Sequence, residues 1–183
     1  MRLRRPAEGG FWRRGWVNAV SIFSDHSPQS FRVSQDSGEG LLIYGGRGWT
    51  DYAVEAILTV HLAQSAGLAV RVQGLRRYYA ALLVRPGLVR LVRVRDGDVV
   101  VLAEAKLDWS LETPCPFRIE ANGDRIEAQV GGVTLSGKDA GPHALSDGGI
   151  AFVIENGALS CDEVCVAPPA AGENGPRSRA WQG

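Results

Sequence analysis

Five side chains of this sequence carry the chemical groups that a sugar-like ligand requires. Arginine and glutamine donate directional hydrogen bonds to hydroxyl groups, glutamate accepts them, and a tyrosine ring stacks on the flat face of a sugar. We therefore predict a ligand-binding site formed by Arg71, Gln73, Tyr79, Glu127 and Gln129. A solvent-exposed sheet face, with a cross-strand ion pair between Arg71 and Glu127, explains the same pattern and remains the alternative.

The segment 67–79 positions three of these side chains. Apolar residues at positions 68, 70 and 72 alternate with Ala69, Arg71 and Gln73, and this period of two is typical of a strand with one face in a core. Gly74 predicts a tight turn, which places Tyr79 across the turn on the next strand. We expect the polar side of this hairpin to face an open groove.

The rest of the chain is predicted to be almost entirely strands. Turn signals at Pro86-Gly87, Asp96-Gly97, Asn122-Gly123 and Gly131-Gly132 separate short apolar segments, and no convincing helix is present. Such spacing indicates an all-β antiparallel sandwich of the jelly-roll type. The predicted strands are 16–23, 30–34, 41–44, 51–61, 67–73, 77–85, 88–95, 98–105, 114–122, 125–130, 133–135, 149–155 and 161–166.

Length, composition and charge limit the classes of function. The chain has 183 residues, 45% of them hydrophobic and 22% charged, which is typical of one globular domain. We assign 1–10 to an irregular lead-in, 11–167 to the sandwich and 168–183 to a disordered tail. Twenty basic and twenty acidic residues give a formal net charge of zero, which argues against nucleic-acid or membrane partners. With no secretion signal and no apolar run of about 18 residues, we expect a cytoplasmic protein.

The three cysteines are expected to be reduced thiols. Cys161 and Cys165 lie four residues apart in one predicted strand, a separation of about 13 Å at ~3.3 Å per residue. This is too far for a disulfide bond in an unbent strand. Cys115 lies far away in the sequence, and no CxxC pair predicts a structural zinc site.

No group of residues predicts catalysis. The carboxylates of the predicted strands are isolated from one another, whereas glycoside hydrolysis needs two of them on facing positions. His26, His61 and His143 show no spacing typical of a triad, although the partners of a triad meet only in the folded protein. We therefore predict no catalytic residues and no metal ligands.

The loop residues raise two further questions. Asp36, Asp139 and Asp147 are loop aspartates that offer a minor alternative, a calcium ion at the rim of the sandwich, while no cofactor is the main expectation. Trp49 and Tyr52, together with the intervening Asp51, could stack on a sugar. We favour a structural role, in which the rings cover one end of the core.

Four segments together resemble the concanavalin A-like, or laminin-G-like, jelly-roll superfamily. They are GRGWTDYAVEAILTV, AGLAVRVQGLRRYYAALL, FRIEANGDRIEAQVGGVTL and GGIAFVIENGALSCDEVCV. The chain looks most similar to the accessory domain at the C-terminus of some bacterial ADP-ribosylglycohydrolase-family proteins, and FWRRGWVNAV resembles the segment leading into that domain. The matching residues are Trp49, Asp51, Tyr52, Ala66, Gly67, Arg71, Tyr78, Tyr79, Gly123, Asp124, Arg125, Ile126, Gly148, Gly149, Asp162, Val164 and Val166.

This resemblance implies a fold and leaves three functions open, because the superfamily includes lectins, glycosidases and scaffolding domains. The first is a non-catalytic carbohydrate- or ligand-binding module, accessory to an ADP-ribosyl or glycoside hydrolase and binding a carbohydrate or nucleoside-sugar. The second is a sugar hydrolase similar to the keto-disaccharide hydrolases. The third is a scaffolding or interaction domain with a catalytic partner domain or chain. Nothing in the sequence matches the helical, acidic, metal-binding catalytic domain of an ADP-ribosylglycohydrolase.

Overall fold

The computed structural model describes residues 1–4, 15–24 and 31–170, and these contain strands and connections without a helix. The all-β prediction is therefore confirmed. The thirteen strands are β1 Arg2–Arg4, β2 Trp16–Ala19, β3 Ile22–Ser24, β4 Phe31–Tyr44, β5 Tyr52–Leu62, β6 Ser65–Gly74, β7 Arg77–Val84, β8 Leu88–Arg95, β9 Asp98–Lys106, β10 Pro114–Asn122, β11 Arg125–Val130, β12 Val133–Lys138 and β13 Gly149–Ala167.

The strands form two antiparallel layers that share β13. The front sheet has the order β12-β11-β10-β5-β13-β1, and its part of β13 is the second half of that strand. The back sheet has the order β9-β8-β7-β6-β13-β4, with β2 and β3 both paired to the far side of β4. Because β13 pairs with strands of both layers, it joins the two sheets into one continuous structure.

The core lies between the two sheets and is built by the alternation of apolar residues along each strand. On β5, for example, Val54, Leu58 and Val60 are almost completely buried, whereas Glu55 and Ile57 on the opposite face are exposed. The ring of Phe152 on β13 stacks on that of Trp16 with 5.6 Å between centroids. Alternation of this kind leaves one face of β5, β10 and β11 available for binding, whereas β6 and β7 are buried on both faces.

The predicted hairpins are confirmed where glycine occupies the turn. The turns at Gly87, Gly97 and Gly123 all place glycine at positive φ, a conformation that costs glycine little. Their strands are joined directly, β7 to β8, β8 to β9 and β10 to β11. Turn chemistry in the sequence was therefore sufficient to fix these connections.

Two predicted breaks are wrong, and both concern the longest strands. The segment 35–40 was expected to be a loop but belongs to the continuous 14-residue β4. Likewise, Asn156-Gly157 does not end a strand, because the 19-residue β13 continues through it with a bulge opposite β4. The Asn156 side chain accepts a hydrogen bond of 2.7 Å from the Gly38 N–H, so each irregularity supports the other.

The N-terminal prediction is also corrected in part. Residues 2–4, expected to lie in an irregular lead-in, pair with residues 163–165 of β13. The expected disordered tail lies outside the described residues from position 171 onward. No helix that could span a membrane occurs in the described part of the chain.

We expect all three cysteines to react with a thiol reagent in denatured, unreduced protein, because Cys115, Cys161 and Cys165 are unpaired in the structure. In the native protein, Cys161 should react slowest, since it is buried and burial raises the pKa of its thiol. A timed thiol titration with and without denaturant measures both quantities. One reactive thiol in denaturant, instead of three, would contradict the prediction.

Candidate functional site

An open groove crosses the outer face of the front sheet. Its volume is about 590 Å³. Strands β5, β10, β11, β12 and β13 contribute the side chains that point away from the core, and β1 closes one side. The groove is therefore lined by outward-facing side chains of the front sheet, both polar and apolar. Its lining includes Arg2, Glu55, Ile57, Pro116, Arg118, Gln129, Thr134, Asp162, Glu163 and Cys165.

Arg118 on β10 lies at the centre of the charged groups in this groove. Its guanidinium binds Glu55 on the neighbouring β5 and Glu120 on its own strand. The pairing with Glu55 follows from the register, because Arg118 lies directly opposite Glu55 in the sheet. Two carboxylates thus orient one partly exposed guanidinium, whose five donors are not all consumed by them.

The carboxylate of Glu120 has a second role at the edge of this arrangement. It accepts a hydrogen bond of 3.1 Å from the backbone N–H of Ala170, just beyond the end of β13. Only 12% of the Glu120 side chain is exposed, compared with 52% for Glu55. Glu120 therefore anchors Arg118, while Glu55 is the carboxylate that a ligand can reach.

Two of the five predicted site residues lie on this outer face. Gln129 on β11 is exposed, lines the groove and lies directly opposite Arg118. Glu127 is two residues away on the same strand and face, where it pairs with Arg125 and not with Arg71. Their role in binding stays a prediction: Gln129 lines the groove, and Glu127 lies on the same outer face without lining it.

The structure places Arg71 elsewhere, buried at one end of the sandwich with only 3% of the residue exposed. Its guanidinium donates to the backbone carbonyls of Thr50 at 3.0 Å, Gly123 at 2.8 Å and Leu145 at 2.9 Å, and to Asp51 at 3.0 Å. These donations join Arg71 to three connections of the fold, because Thr50 and Asp51 share the one between β4 and β5. The expected open position of Arg71 is therefore corrected to that of an internal support.

A local backbone irregularity explains why the alternation misplaced Arg71. Its φ is +50°, in the left-handed region that non-glycine residues seldom adopt, and the register between β6 and β7 is interrupted there. As a result, Val72 packs with the cluster on the outer side of the back sheet, together with Ala69. A strict period of two would have put Val72 on the same face as Val70.

Tyr79 is also interior, since it is completely buried between the sheets. Its hydroxyl donates to Asp139 at 2.7 Å and accepts from the backbone N–H of Leu145 at 2.9 Å. Burial raises the pKa of Tyr79 to about 12. Asp139 in turn forms an ion pair with Arg93. This aspartate, one of the three considered as calcium ligands, therefore already binds protein donors.

Gln73 lies at the rim of the sandwich and not in the groove. Its side chain donates to the backbone carbonyl of Asp147 at 3.0 Å and accepts from Arg47 at 3.4 Å. Thus the five predicted residues occupy three places: the outer face of the front sheet, the rim and the interior. Among the described residues, no group of three or more histidine, cysteine, aspartate or glutamate side chains is arranged to hold a metal ion.

The structural role expected for the aromatic segment at 49–52 agrees with the contacts. The Trp49 ring packs edge-on against Tyr52 at 5.7 Å, and Tyr52 donates to the carbonyl of Gly149 at 2.7 Å. Asp51 accepts from the Gly123 N–H at 2.8 Å as well as from Arg71. These groups tie the loops together at one end of the core.

The outer face of the back sheet differs in chemistry from the groove. Ala69, Ala80, Val92 and Val153 form a buried apolar cluster there. Tyr78 belongs to the same cluster, and its hydroxyl is hydrogen-bonded to Glu39. This apolar cluster is buried, whereas the groove on the front sheet is open to solvent.

The sequence analysis missed Arg118 and Glu55, although both carried a usable signal. Arg118 lies between Phe117 and Ile119 in a predicted hairpin, which assigns it to the outer face. Glu55 likewise lies at an outward-facing position of β5, between two buried residues. What the sequence did not reveal is that β10 pairs with β5, because that pairing joins segments about sixty residues apart.

No family model matches the chain, and no curated protein matches it in sequence. Solved structures do resemble it. A carbohydrate-binding module, CBM66, from Bacillus subtilis is 18% identical, covers 84% of this chain and 95% of its own, and has a TM-score of 0.73. A Bacillus subtilis protein of unknown function with a galectin-like fold is 11% identical, covers 90% and 94% of the two chains, and has a TM-score of 0.67.

A larger protein contains a similar unit. The GH43 protein BlXynB from Bacillus licheniformis is 13% identical, with a TM-score of 0.66, and the match covers 90% of this chain but only 38% of BlXynB. At identities this low, the similarity concerns the fold. The chain has the antiparallel β-sandwich fold of a concanavalin A-like jelly-roll domain, similar to galectin-like proteins and carbohydrate-binding modules.

Proposed function

We propose that the chain is a carbohydrate-binding module whose site is the groove on the outer face of the front sheet. The observation that carries this proposal is the arrangement around Arg118, where an oriented guanidinium lies beside the accessible Glu55 carboxylate and the Gln129 amide. Donors and acceptors fixed on a rigid sheet suit the hydroxyl groups of a saccharide. The similarity to a structure named as a carbohydrate-binding module supports the same assignment.

We further propose that the module is accessory to a hydrolase acting on glycosides or ADP-ribosyl groups. Support for the first comes from BlXynB, in which the matching part is a minor share of a longer chain. Support for the second is the sequence resemblance to the C-terminal domain of ADP-ribosylglycohydrolase-family proteins. In either case the module would concentrate a neighbouring catalytic domain or chain on its saccharide, in the cytoplasm.

Glycoside hydrolysis in the groove is the less favoured alternative. That reaction needs one carboxyl group that carries a proton and a second that is ionised. Arg118 binds both Glu55 and Glu120, and only 12% of the Glu120 side chain is exposed. The groove therefore offers a ligand one accessible carboxylate at this point instead of two on facing positions.

We expect Arg118→Ala to reduce affinity for a saccharide identified on a glycan array by roughly 10- to 100-fold. Loss of a charged hydrogen bond to a ligand has about this effect. Isothermal titration calorimetry measures the change. Arg90→Ala is the matched control, because Arg90 also pairs with a cross-strand glutamate, Glu104, but lies on the back sheet. Equal affinity of both variants would reject the groove and favour a scaffolding domain.

A further inference from the structure

Three side chains outside the groove lining form a linear hydrogen-bonded relay. The Nε2 atom of His61 lies 2.9 Å from the hydroxyl oxygen of Ser160, and its Nδ1 atom lies 2.7 Å from a carboxylate oxygen of Glu112. The residues are distant in sequence and meet only through the fold. This is the order of groups found in serine hydrolases, in which a nucleophile contacts a base and the base is oriented by a carboxylate.

The sheet register fixes the first contact of the relay. Ser160 on β13 is paired with Thr59 on β5, which puts His61, two residues further along, on the same outer face and diagonal to Ser160. The neighbours Leu159 and Cys161 are buried, so Ser160 must point away from the core. Both members are therefore held by rigid strands.

The second contact depends on an unusual backbone conformation at Glu112. Its φ is +60°, although it is neither glycine nor asparagine, and strain of this kind occurs frequently at functional sites. The Glu112 N–H donates to the carbonyl of Val60 at 2.8 Å, next to His61. This bond fixes the Glu112 backbone where its carboxylate reaches the imidazole.

The hydrogen bonds determine which imidazole nitrogen can act as the base. An ionised carboxylate only accepts hydrogen bonds, so Nδ1 of His61 must carry the proton that it shares with Glu112. The Nε2 atom of the neutral ring is then left without a proton and accepts one from Ser160. The serine hydroxyl is therefore in position to lose its proton.

A guanidinium lies on the other side of the serine. Arg32 on β4 is exposed and directly opposite Ser160 in the antiparallel pair, so the two side chains emerge on the same face. An arginine beside a nucleophile can stabilise the negative oxygen of a tetrahedral intermediate. The strands on either side of Ser160 thus place a base and an arginine at positions next to it on the same face.

We propose that Ser160 and His61 are the catalytic residues of a carboxylic-ester hydrolase, and that Glu112 is the positioning residue for His61. The Ser160 oxygen forms a bond to the ester carbonyl carbon while its proton moves to Nε2. The carbon–oxygen bond to the alcohol then breaks, and the same proton passes to the leaving oxygen. Water attacks the acyl-serine through the same base, which releases the acid and returns the proton to Ser160.

The relay and the groove share the outer face of β5, where Ile57 of the groove and His61 are four residues apart. We therefore infer that the ester is an O-acyl group carried by a saccharide, and this choice of substrate rests on the proposed function of the groove. The reaction class rests on the relay alone. An accessory module would then remove acyl groups from the polymer that it binds.

The first test is covalent labelling of the full chain with a fluorophosphonate probe, which reacts with activated serine hydroxyls. We expect labelling at Ser160, identified by mass spectrometry, and its loss in Ser160→Ala and His61→Gln. Ser136→Ala is the control, because Ser136 is an exposed serine on the outer face of β12 and should leave labelling unchanged. Absence of labelling, or labelling that survives His61→Gln, would overturn the relay.

The second test is hydrolysis of p-nitrophenyl acetate. We expect Ser160→Ala to lower kcat at least about 100-fold. Glu112→Gln should lower kcat about tenfold with KM unchanged, and Glu112→Asp should restore part of that loss, which a purely structural role would not produce. If all three variants kept the kcat of the wild type, the assignment would be overturned.

The choice of substrate is tested separately with an O-acetylated oligosaccharide. Release of acetate that depends on Ser160 supports the saccharide ester. Turnover of p-nitrophenyl acetate without release of acetate from the oligosaccharide would reject the saccharide ester and leave the relay standing. Saccharide binding with no labelling of Ser160 would reject the relay and leave the proposed function of the groove standing.

Discussion

Arg71→Ala should lower the free energy of unfolding by about 3 kcal/mol, since each buried acceptor left without its donor costs about 1–3 kcal/mol. The substitution leaves the carbonyls of Thr50, Gly123 and Leu145 without their guanidinium donor in the interior. For a chain of this length, the melting temperature should fall by roughly 6–12 °C. Calorimetry or thermal circular dichroism measures the change.

The matched control for this experiment is Arg47→Ala. Arg47 is an exposed arginine at the rim whose only hydrogen bond, among the described residues, is a long one of 3.4 Å to Gln73. Its removal should change stability by no more than about 0.5 kcal/mol. Similar melting temperatures for the two variants would contradict the internal support role. Unchanged stability combined with lost saccharide affinity would return Arg71 to the list of binding residues.

Asp139→Asn should have an effect of similar size, because Asp139 is buried and neutralises Arg93. Both carboxylate oxygens accept from one Arg93 nitrogen, at 2.9 and 2.8 Å, and Tyr79 donates to one of them. The substitution leaves a largely buried guanidinium without a counter-charge. We expect a loss of about 3 kcal/mol at neutral pH, measured by urea denaturation.

The acid dependence of stability supplies an independent check on Asp139. Burial alone would raise the pKa of this carboxyl, but the hydrogen bonds from Arg93 and Tyr79 outweigh it, so the pKa lies below its usual value. A carboxyl with a lowered pKa in the folded state stabilises the fold at pH values above its unfolded pKa of about 3.9. This contribution is lost as the pH falls further and the carboxyl is protonated. Wild-type stability should therefore decline below about pH 4 more steeply than that of Asp139→Asn.

The surface variant Asp96→Asn separates this effect from general acid denaturation. Asp96 also pairs with an arginine, Arg77, but both side chains are about half exposed. An exposed pair of this kind contributes little to stability, because water screens it. If Asp96→Asn and Asp139→Asn had equal effects at neutral pH, the buried network would not be the support that its geometry indicates.

Alternation and turn chemistry were sufficient to predict the class of fold. Glycine turns and period-two segments predicted the hairpins of β7, β8 and β9 and those of β10, β11 and β12, where consecutive strands pair with each other. The same signals failed for β4 and β13, whose polar and glycine-containing middles resemble loops. Those segments remain strands because each has the other as a long partner, and such pairing is a tertiary effect.

The candidate site was predicted only in part, for the same physical reason. Glu127 and Gln129 were placed correctly on an outer face, since their strand is regular. Arg71 was misplaced by one residue of positive φ, which the sequence does not mark because arginine rarely adopts that conformation. His61, Glu112 and Ser160 could not be related at all, because their contact requires the β5–β13 pairing.

The position of β13 has a consequence for the order in which the domain can fold. This strand comes last among the thirteen, yet β1, β4, β5 and β6 all pair with it. During synthesis, these four strands remain without their shared neighbour until residues 149–167 have left the ribosome. Contacts between residues so far apart in the sequence form slowly. Until they form, the unpaired strand edges are prone to aggregation. A nascent chain paused before Gly149 is therefore the stage at which a chaperone would have most to protect.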